Sequence, residues 1–358
     1  MNPSLINISV IFIFFLLTGC SSENETADNR NTLVTGDGSD SAENLFTQPD
    51  TLKFNLPELE NALFVSKNPS YFLIDSLIYF PGQKAKHIIA FDSQGNYIAH
   101  AGGEGRGPGE FMNIQHFIYN DTGLYVYDNL LMRITVFDKA LNFLKTIPIE
   151  HRINDFDVVN DKIIAFSHSA PSVFMAYDLE GNVLNEFLKP EDEQEAIFLG
   201  RFQDGGVHYG HDENLIYGIY PDQFKIYVLD ENLMLQRTIG SNNPSEYRPS
   251  VPDFPASLDP YQFGSRHLEY WESFNHIMNV FTDENSGNII IPYYEQLSQS
   301  EWNFYLNVYQ KDGTIVTEGA EIPGNKMPKV FDNGSLYLAY DDESSENSVT
   351  ILKYELKY

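Results

Sequence analysis

From about residue 64 the hydrophobic positions come in short runs of Tyr, Phe, Ile and Val, each cut by Asp, Asn or Gly. No long stretch repeats apolar residues at helical spacing, so the pattern predicts short β-strands joined by tight turns. Two columns recur along it. The first is an apolar strand ending in a turn-forming residue, then a turn and a second strand: IIAFDSQGNYIAH, ITVFDKALNFLKT, FMAYDLEGNVLNE, IYVLDENLMLQRT and LNVYQKDGTIVTE. Its markers are Asp92, Asp138, Asp178, Asp230 and Gln310, spaced by 46, 40, 52 and 80 residues. Aspartate accepts backbone N–H groups two residues on and Gly or Asn tolerates positive φ, so each marker predicts a hairpin. The second column lies upstream and pairs a mostly polar residue with Phe or Val: Tyr71-Phe72, His116-Phe117, Asp155-Phe156, Arg201-Phe202, Asn279-Val280 and Lys329-Val330. Its spacings of 45, 39, 46, 78 and 50 follow those of the first column.

A period of 40 to 50 residues built from four short strands is the signature of a propeller blade. Six copies of the second column predict an all-β, six-bladed β-propeller with four-stranded blades over residues 45–358. The long interval holds an insertion at about 241–274 whose five prolines exclude a central strand. Asp259-Pro260 suits a helix start within it. We place the insertion as a cap over one face. The last blade has three strands, near Lys329–Phe331, Ser335–Tyr340 and Val349–Tyr354. The segment Leu52–Leu56 is predicted to supply the fourth from the N-terminal side and close the ring, which removes an open sheet edge.

The N-terminus changes the picture of where this domain sits. An apolar run from Ile8 to Leu17 precedes Leu17-Thr18-Gly19-Cys20. The run is shorter than the ~20 residues that cross a bilayer and has the length of a signal-peptide core. Small residues before a cysteine resemble the bacterial lipobox, although no Lys or Arg precedes the apolar run. Residues 1–19 are thus read as a lipoprotein signal peptide and Cys20 as the lipidation site. It is the only cysteine, which excludes disulfides and thiolate metal sites. Residues 20–44 are polar and acidic and are expected to be a disordered tether; Glu23 and Glu25 point to outer-membrane or surface export. The chain carries 51 acidic against 22 basic residues, a net charge of −29. Such a surface repels nucleic acid, and contact with the membrane is expected through the lipid alone.

The stretch GGEGRGPGEF, residues 102–111, tests for phosphate chemistry. Gly102 and Gly107 have the Walker spacing, but Pro108-Gly109 stands where Lys-Ser/Thr is needed. No frame reads G-x-G-x-x-G. The segment lies between the outer strand of one blade (Tyr97–Ala101) and the inner strand of the next (Ile114–Phe117), so it is read as the crossing from rim to axis. A G-x-G-x-G-P-G-E-F loop between blades, behind a lipobox, resembles the bacterial six-bladed β-propeller lipoproteins related to NHL-repeat propellers. The resemblance spans residues ~50–358 and implies a fold and an address in the cell envelope, with no reaction attached. Around "RFQDGGVHYGHDENLIYGIYPDQF" the pattern departs, and the register of blade four stays open.

If the polar column faces the axis, Tyr71, His116, Asp155, Arg201, Asn279 and Lys329 form a ring lining the channel. That ring could bind a small polar ligand or a divalent cation, or be neutralised internally, as by Asp155 with Arg201. No other cofactor is expected. His208-Tyr209-Gly210-His211 has no helix to present it as a zinc pair, and D-E-N-S-G-N at 283–288 puts Tyr294 where a calcium loop needs glutamate. It reads as a hairpin turn. Asp341-Asp342-Glu343 reads as a solvated turn. No G-x-S-x-G elbow exists and no catalytic residue is assigned. The function expected is an envelope-anchored binding module. Tyr247, Tyr261, Tyr270 and Trp271 of the insertion are candidate contacts to a protein or glycan. The alternative is a metal-assisted hydrolase or lyase working at the channel mouth.

Overall fold

A computed structural model describes residues 45–55, 73–74, 77–82, 86–189, 205–211, 213–220, 225–240, 275–298, 301–340 and 348–357. They form six antiparallel sheets. The first strand, β1 (Asp50–Asn55), is set aside for the last blade. Blade one runs β2 (Leu73–Ile74), β3 (Ile78–Pro81), β4 (His87–Phe91) and β5 (Tyr97–Gly102). Blade two runs β6 (Ile114–Asn120), β7 (Gly123–Asp128), β8 (Arg133–Phe137) and β9 (Phe143–Pro148). Blade three is β10 (Asp155–Val159), β11 (Lys162–Phe166), β12 (Phe174–Asp178) and β13 (Val183–Phe187). Blade four is β14 (Gly206–Gly210), β15 (Leu215–Ile219), β16 (Lys225–Leu229) and β17 (Leu235–Gly240).

In blade five the innermost position is split between β18 (Asn275–Ile277) and β19 (Phe281–Thr282), both paired with β20 (Ile289–Ser298). The blade continues with β21 (Glu301–Tyr309) and β22 (Ile315–Glu321). Blade six is β23 (Pro328–Asp332), β24 (Ser335–Tyr340) and β25 (Ser348–Glu355), with β1 paired antiparallel to β25 as the outermost strand. The expected closure is therefore present. Its burial pattern, exposed except for a buried fifth residue and a half-buried third, is the same as those of the outer strands β9 and β17. Leu45 and Phe46 extend the closure: Phe46 bridges Leu356, and Lys357 N–H donates to Leu45 O at 2.8 Å.

The blades are held by six apolar cores, one between each pair of neighbours. Ile88 and Ala90 of β4 pack toward blade two, while Ile89 and Phe91 of the same strand pack toward blade six. Leu336 and Leu338 face blade five, and Tyr337 and Ala339 face blade one. Burial on both faces explains why the middle strands read as unbroken apolar runs instead of alternating. The core joining blade six to blade one, with Phe54 against Phe80 and Phe91 at 5.0 and 5.6 Å, completes the circle.

The Asp markers form the turns expected of them. Asp178 Oδ1 accepts the N–H of Glu180 at 2.9 Å and of Asn182 at 2.8 Å, and its Oδ2 takes the Asn182 amide. Asp92 and Asp138 repeat this arrangement with Asn96 and Asn142, and Asp230 accepts from Asn232 and Met234. In blade five Gln310 holds the position, and Asp312 accepts the Thr314 N–H instead. Five markers serve six blades because the third and fourth strands of blade six are not consecutive in the chain.

The glycine stretch is the predicted crossing from β5 to β6. Its backbone bonds to itself, Phe111 N–H to Gly103 O at 2.7 Å and Gly105 N–H to Phe111 O at 3.1 Å. Arg133 from β8 donates to the carbonyls of Arg106, Gly107 and Glu110. Phe111 is fully buried between blades one and two. At Gly105 a Cβ would overlap the Glu110 carboxylate, which accepts the Gly107 N–H at 2.7 Å. The loop binds its own parts; no phosphate cradle is needed to account for its glycines.

Candidate functional site

The innermost strands meet around the axis, and their axial edges carry backbone groups with no further strand to pair them. Side chains from neighbouring blades fill that role. Asp155 and Asp157, two apart on β10, project from one face toward blade four, while Phe156 and Val158 enter the core shared with blade two. Asp155 Oδ2 accepts the N–H of Val207 at 3.1 Å, and Asp157 Oδ2 accepts that of Tyr209 at 2.9 Å. On the other side of β10, Asn120 from β6 reaches the Val158 carbonyl at 3.5 Å.

Asp155 is the hub. His116 Nε2 from blade two lies 3.0 Å from its Oδ1, and Asn279 Nδ2 from blade five lies 3.2 Å from its Oδ2. The Asn279 contact spans blade four, which is possible because Gly206 stands between. A Cβ there would overlap Asn279 Oδ1 and lie 2.6 Å from Asp155 Oδ2. Burial works against charge on both His116 and Asp155. Their mutual attraction and hydrogen bond outweigh it, raising the His116 pKa above the ordinary histidine value and lowering that of Asp155 below the ordinary carboxylate value. The pairing thus favours the charged form of both groups.

One step along the axis the balance reverses. Burial, with the charge of Asp155 adding to it, pushes Asp157 up to about 6 even though Tyr209 and Val158 donate to it. Burial, helped by His211, takes His208 down to about 4. His208 Nε2 sits 3.1 Å from Thr282 Oγ1 of β19, and its Nδ1 is 3.9 Å from Asp157 Oδ2. Near neutral pH His208 is uncharged. Among the described residues no group of three or more His, Cys, Asp or Glu side chains is placed to hold a metal ion.

A cavity of about 460 Å³ opens between blades five and six, lined by Tyr294, Trp302, Phe304, Asn325, Lys326, Met327, Lys329 and Ala339. Register puts Tyr294 opposite Phe304, their ring centroids 6.0 Å apart, and Tyr294 stacks on His276 at 4.7 Å. Burial lowers the amine of Lys329, one of the lining residues, to about 8. The cavity lies at the Lys329 end of β23 and the Ala339 end of β24. Leu45 and Phe46 reach the opposite end, where Leu356 N–H donates to Gly334 O at 2.9 Å.

A family model described as "6-bladed beta-propeller", DUF5128, matches residues 71–317. The chain belongs to this family. Among solved structures it resembles a member of the DUF4221 family from Bacteroides vulgatus, at 12% identity and a TM-score of 0.60, covering 87% of this chain and 98% of that one. A Bacteroides fragilis protein gives 11% identity and a TM-score of 0.58, with 87% and 96% covered. At such identities these likenesses show the fold alone. Comparison with curated proteins finds no match.

Of the six channel residues expected for this DUF5128 propeller, the structure joins His116, Asp155 and Asn279 at one carboxylate. Lys329 stands apart, in the cavity between blades five and six. Tyr71 and Arg201 lie outside the described residues, as do Cys20, Tyr247, Tyr261, Tyr270, Trp271, the tether, Asp341-Asp342-Glu343 and the insertion. The register of blade four, left open by the sequence, is set by its pairing. Its innermost strand pairs Gly206 with Ile219 as β10 pairs Asp155 with Phe166, so among the described residues Gly206-Val207 stands where Asp155-Phe156 stands in blade three. A search for a polar residue beside an aromatic one passes over Gly-Val. Asp157, His208 and Thr282 were also missed as axial residues; the period of two from Asp155 was the available signal for Asp157. The segment at 283–288 is the hairpin turn expected, with Asp283 N–H donating to Asn288 O at 2.8 Å.

Proposed function

We propose that this propeller is a binding module held at the cell envelope, in the outer membrane, by a lipid on Cys20. The cavity between blades five and six carries the reading. It is large enough for a small molecule, within the ~300–1,000 Å³ usual for ligand sites, and it combines an aromatic wall with a lysine. It also lies at the end of the blades opposite Leu45 and Phe46. A protein or glycan partner is proposed to meet one face of the propeller through Tyr247, Tyr261, Tyr270 and Trp271. The axial groups support binding over catalysis: Asp155 is committed to His116, Asn279 and backbone N–H groups, which leaves little of it for a reacting molecule.

Fractionation and metal analysis of the full chain test both halves. The wild type should partition with membranes and a Cys20→Ser variant with the soluble fraction; a variant that stays in the membrane overturns the anchor. Stoichiometric metal lost in both His116→Ala and Asp155→Ala would overturn the binding reading in favour of a metal-assisted hydrolase or lyase at the channel mouth.

A further inference from the structure

The cavity between blades five and six says more about its occupant than its size does. Trp302 and Phe304 lie two apart on β21 and project from one face, with Tyr294 beside Phe304. Trp302 and Met327 are 40% and 42% exposed, large apolar surfaces at the cavity rim. Its polar side chains are few. Asn325 is consumed by the protein: its Oδ1 accepts the Phe304 N–H at 3.0 Å, and its Nδ2 donates to Trp302 O and Asn303 Oδ1. A glycan, which needs several donors and acceptors, finds little to match it. Lys329 is different. Among the described residues its ammonium meets only the Met327 thioether, at 3.2 Å, a weak acceptor, and no carboxylate pairs with it. In a chain with 51 acidic residues, a half-buried lysine left with a sulfur partner inside an aromatic cleft is a standing site for an anion. The overall charge of −29 does not prevent this, because charges beyond about 8–10 Å are largely screened at physiological salt.

Resting on the reading of the propeller as a binding module, we propose that this cleft takes a small acid with a flat apolar body, an aromatic carboxylate or sulfonate. Its rings pack on the Tyr294–Trp302–Phe304 wall and its acid group meets Lys329.

Two fluorescent probes of nearly equal shape test this on the full chain in detergent below its micellar concentration: anionic 8-anilinonaphthalene-1-sulfonate and neutral N-phenyl-1-naphthylamine. Wild type should bind the sulfonate at least tenfold more tightly. Lys329→Met and Lys329→Gln should each erase that preference while leaving the neutral probe unchanged, and Trp302→Ala should weaken both. Preference for the sulfonate should also fade as pH rises through about 8, where Lys329 loses its proton. Equal affinity for the two probes in the wild type, or a preference that survives both Lys329 substitutions in folded protein, overturns the choice of an acid but leaves the module reading intact. Binding of neither probe removes the cleft as a ligand site and takes the module reading's main support with it.

Discussion

Asp157 and His208 show how two neighbouring groups can shift in opposite senses and hide one another. A carboxyl that titrates near 3.8 in the unfolded chain and near 6 in the propeller binds more protons folded than unfolded between those values. Its contribution to stability therefore falls as pH rises from about 4 to 6, by about 3 kcal/mol at 1.4 kcal/mol per tenfold. His208 titrates near 6.5 unfolded and near 4 folded, so the unfolded chain holds the extra proton, and stability rises by a similar amount over the same window. The two slopes offset. Urea denaturation of the wild type should be nearly flat across pH 4–6 on their account. Asp157→Asn should tilt the profile upward with pH, and His208→Gln should tilt it downward. Parallel profiles for all three proteins would show that neither group is displaced as described.

The turns and crossings that join strands differ in how deeply their carboxylates sit. Asp178 caps an exposed hairpin, whereas Asp128 is fully buried between a blade-two turn and the glycine crossing. Asp128 accepts four backbone N–H groups, those of Met112, Asn113, Leu130 and Leu131, at 2.6 to 3.1 Å. Removing the acceptor leaves those donors without a partner, at a cost of about 3 kcal/mol. Asp128→Ala should lose about that much by urea melts, and Asp178→Ala distinctly less. The same contrast explains what could be read beforehand. The Asp-x-x-Gly/Leu-Asn turns depend on residues within five positions of each other, so their pattern stands in the chain. Asp128 works on residues 15 and 16 positions away, and no local pattern marks it.

Closure belongs to the whole disc. β1 pairs along all six of its residues with β25, and Phe54 enters the core between blades six and one. An internal deletion of residues 45–57 from the full chain opens that core and exposes the edge of β25. It should lower the melting temperature by more than 10 °C, on the ~2–4 °C per kcal/mol expected for large domains. An unchanged melt would mean that β1 contributes nothing to holding the ring.

Architecture was legible because it rests on repetition. Each blade must bury both faces of its middle strands, five of the six turn sharply after the third, and those local demands recur about every 40 to 50 residues outside the insertion. The column of polar residues beside Phe or Val also stood in the sequence, and it located His116, Asp155 and Asn279. Their meeting did not. Whether Asn279 touches Asp155 depends on Gly206 having no side chain and on blade four standing between two residues 124 positions apart. Lys329 occupies the same column as Asp155, yet the cleft beside blade five takes it away from that carboxylate. Strand and turn follow from neighbours along the chain. Partners across the axis follow from how six sheets pack, and only the folded ring sets those distances.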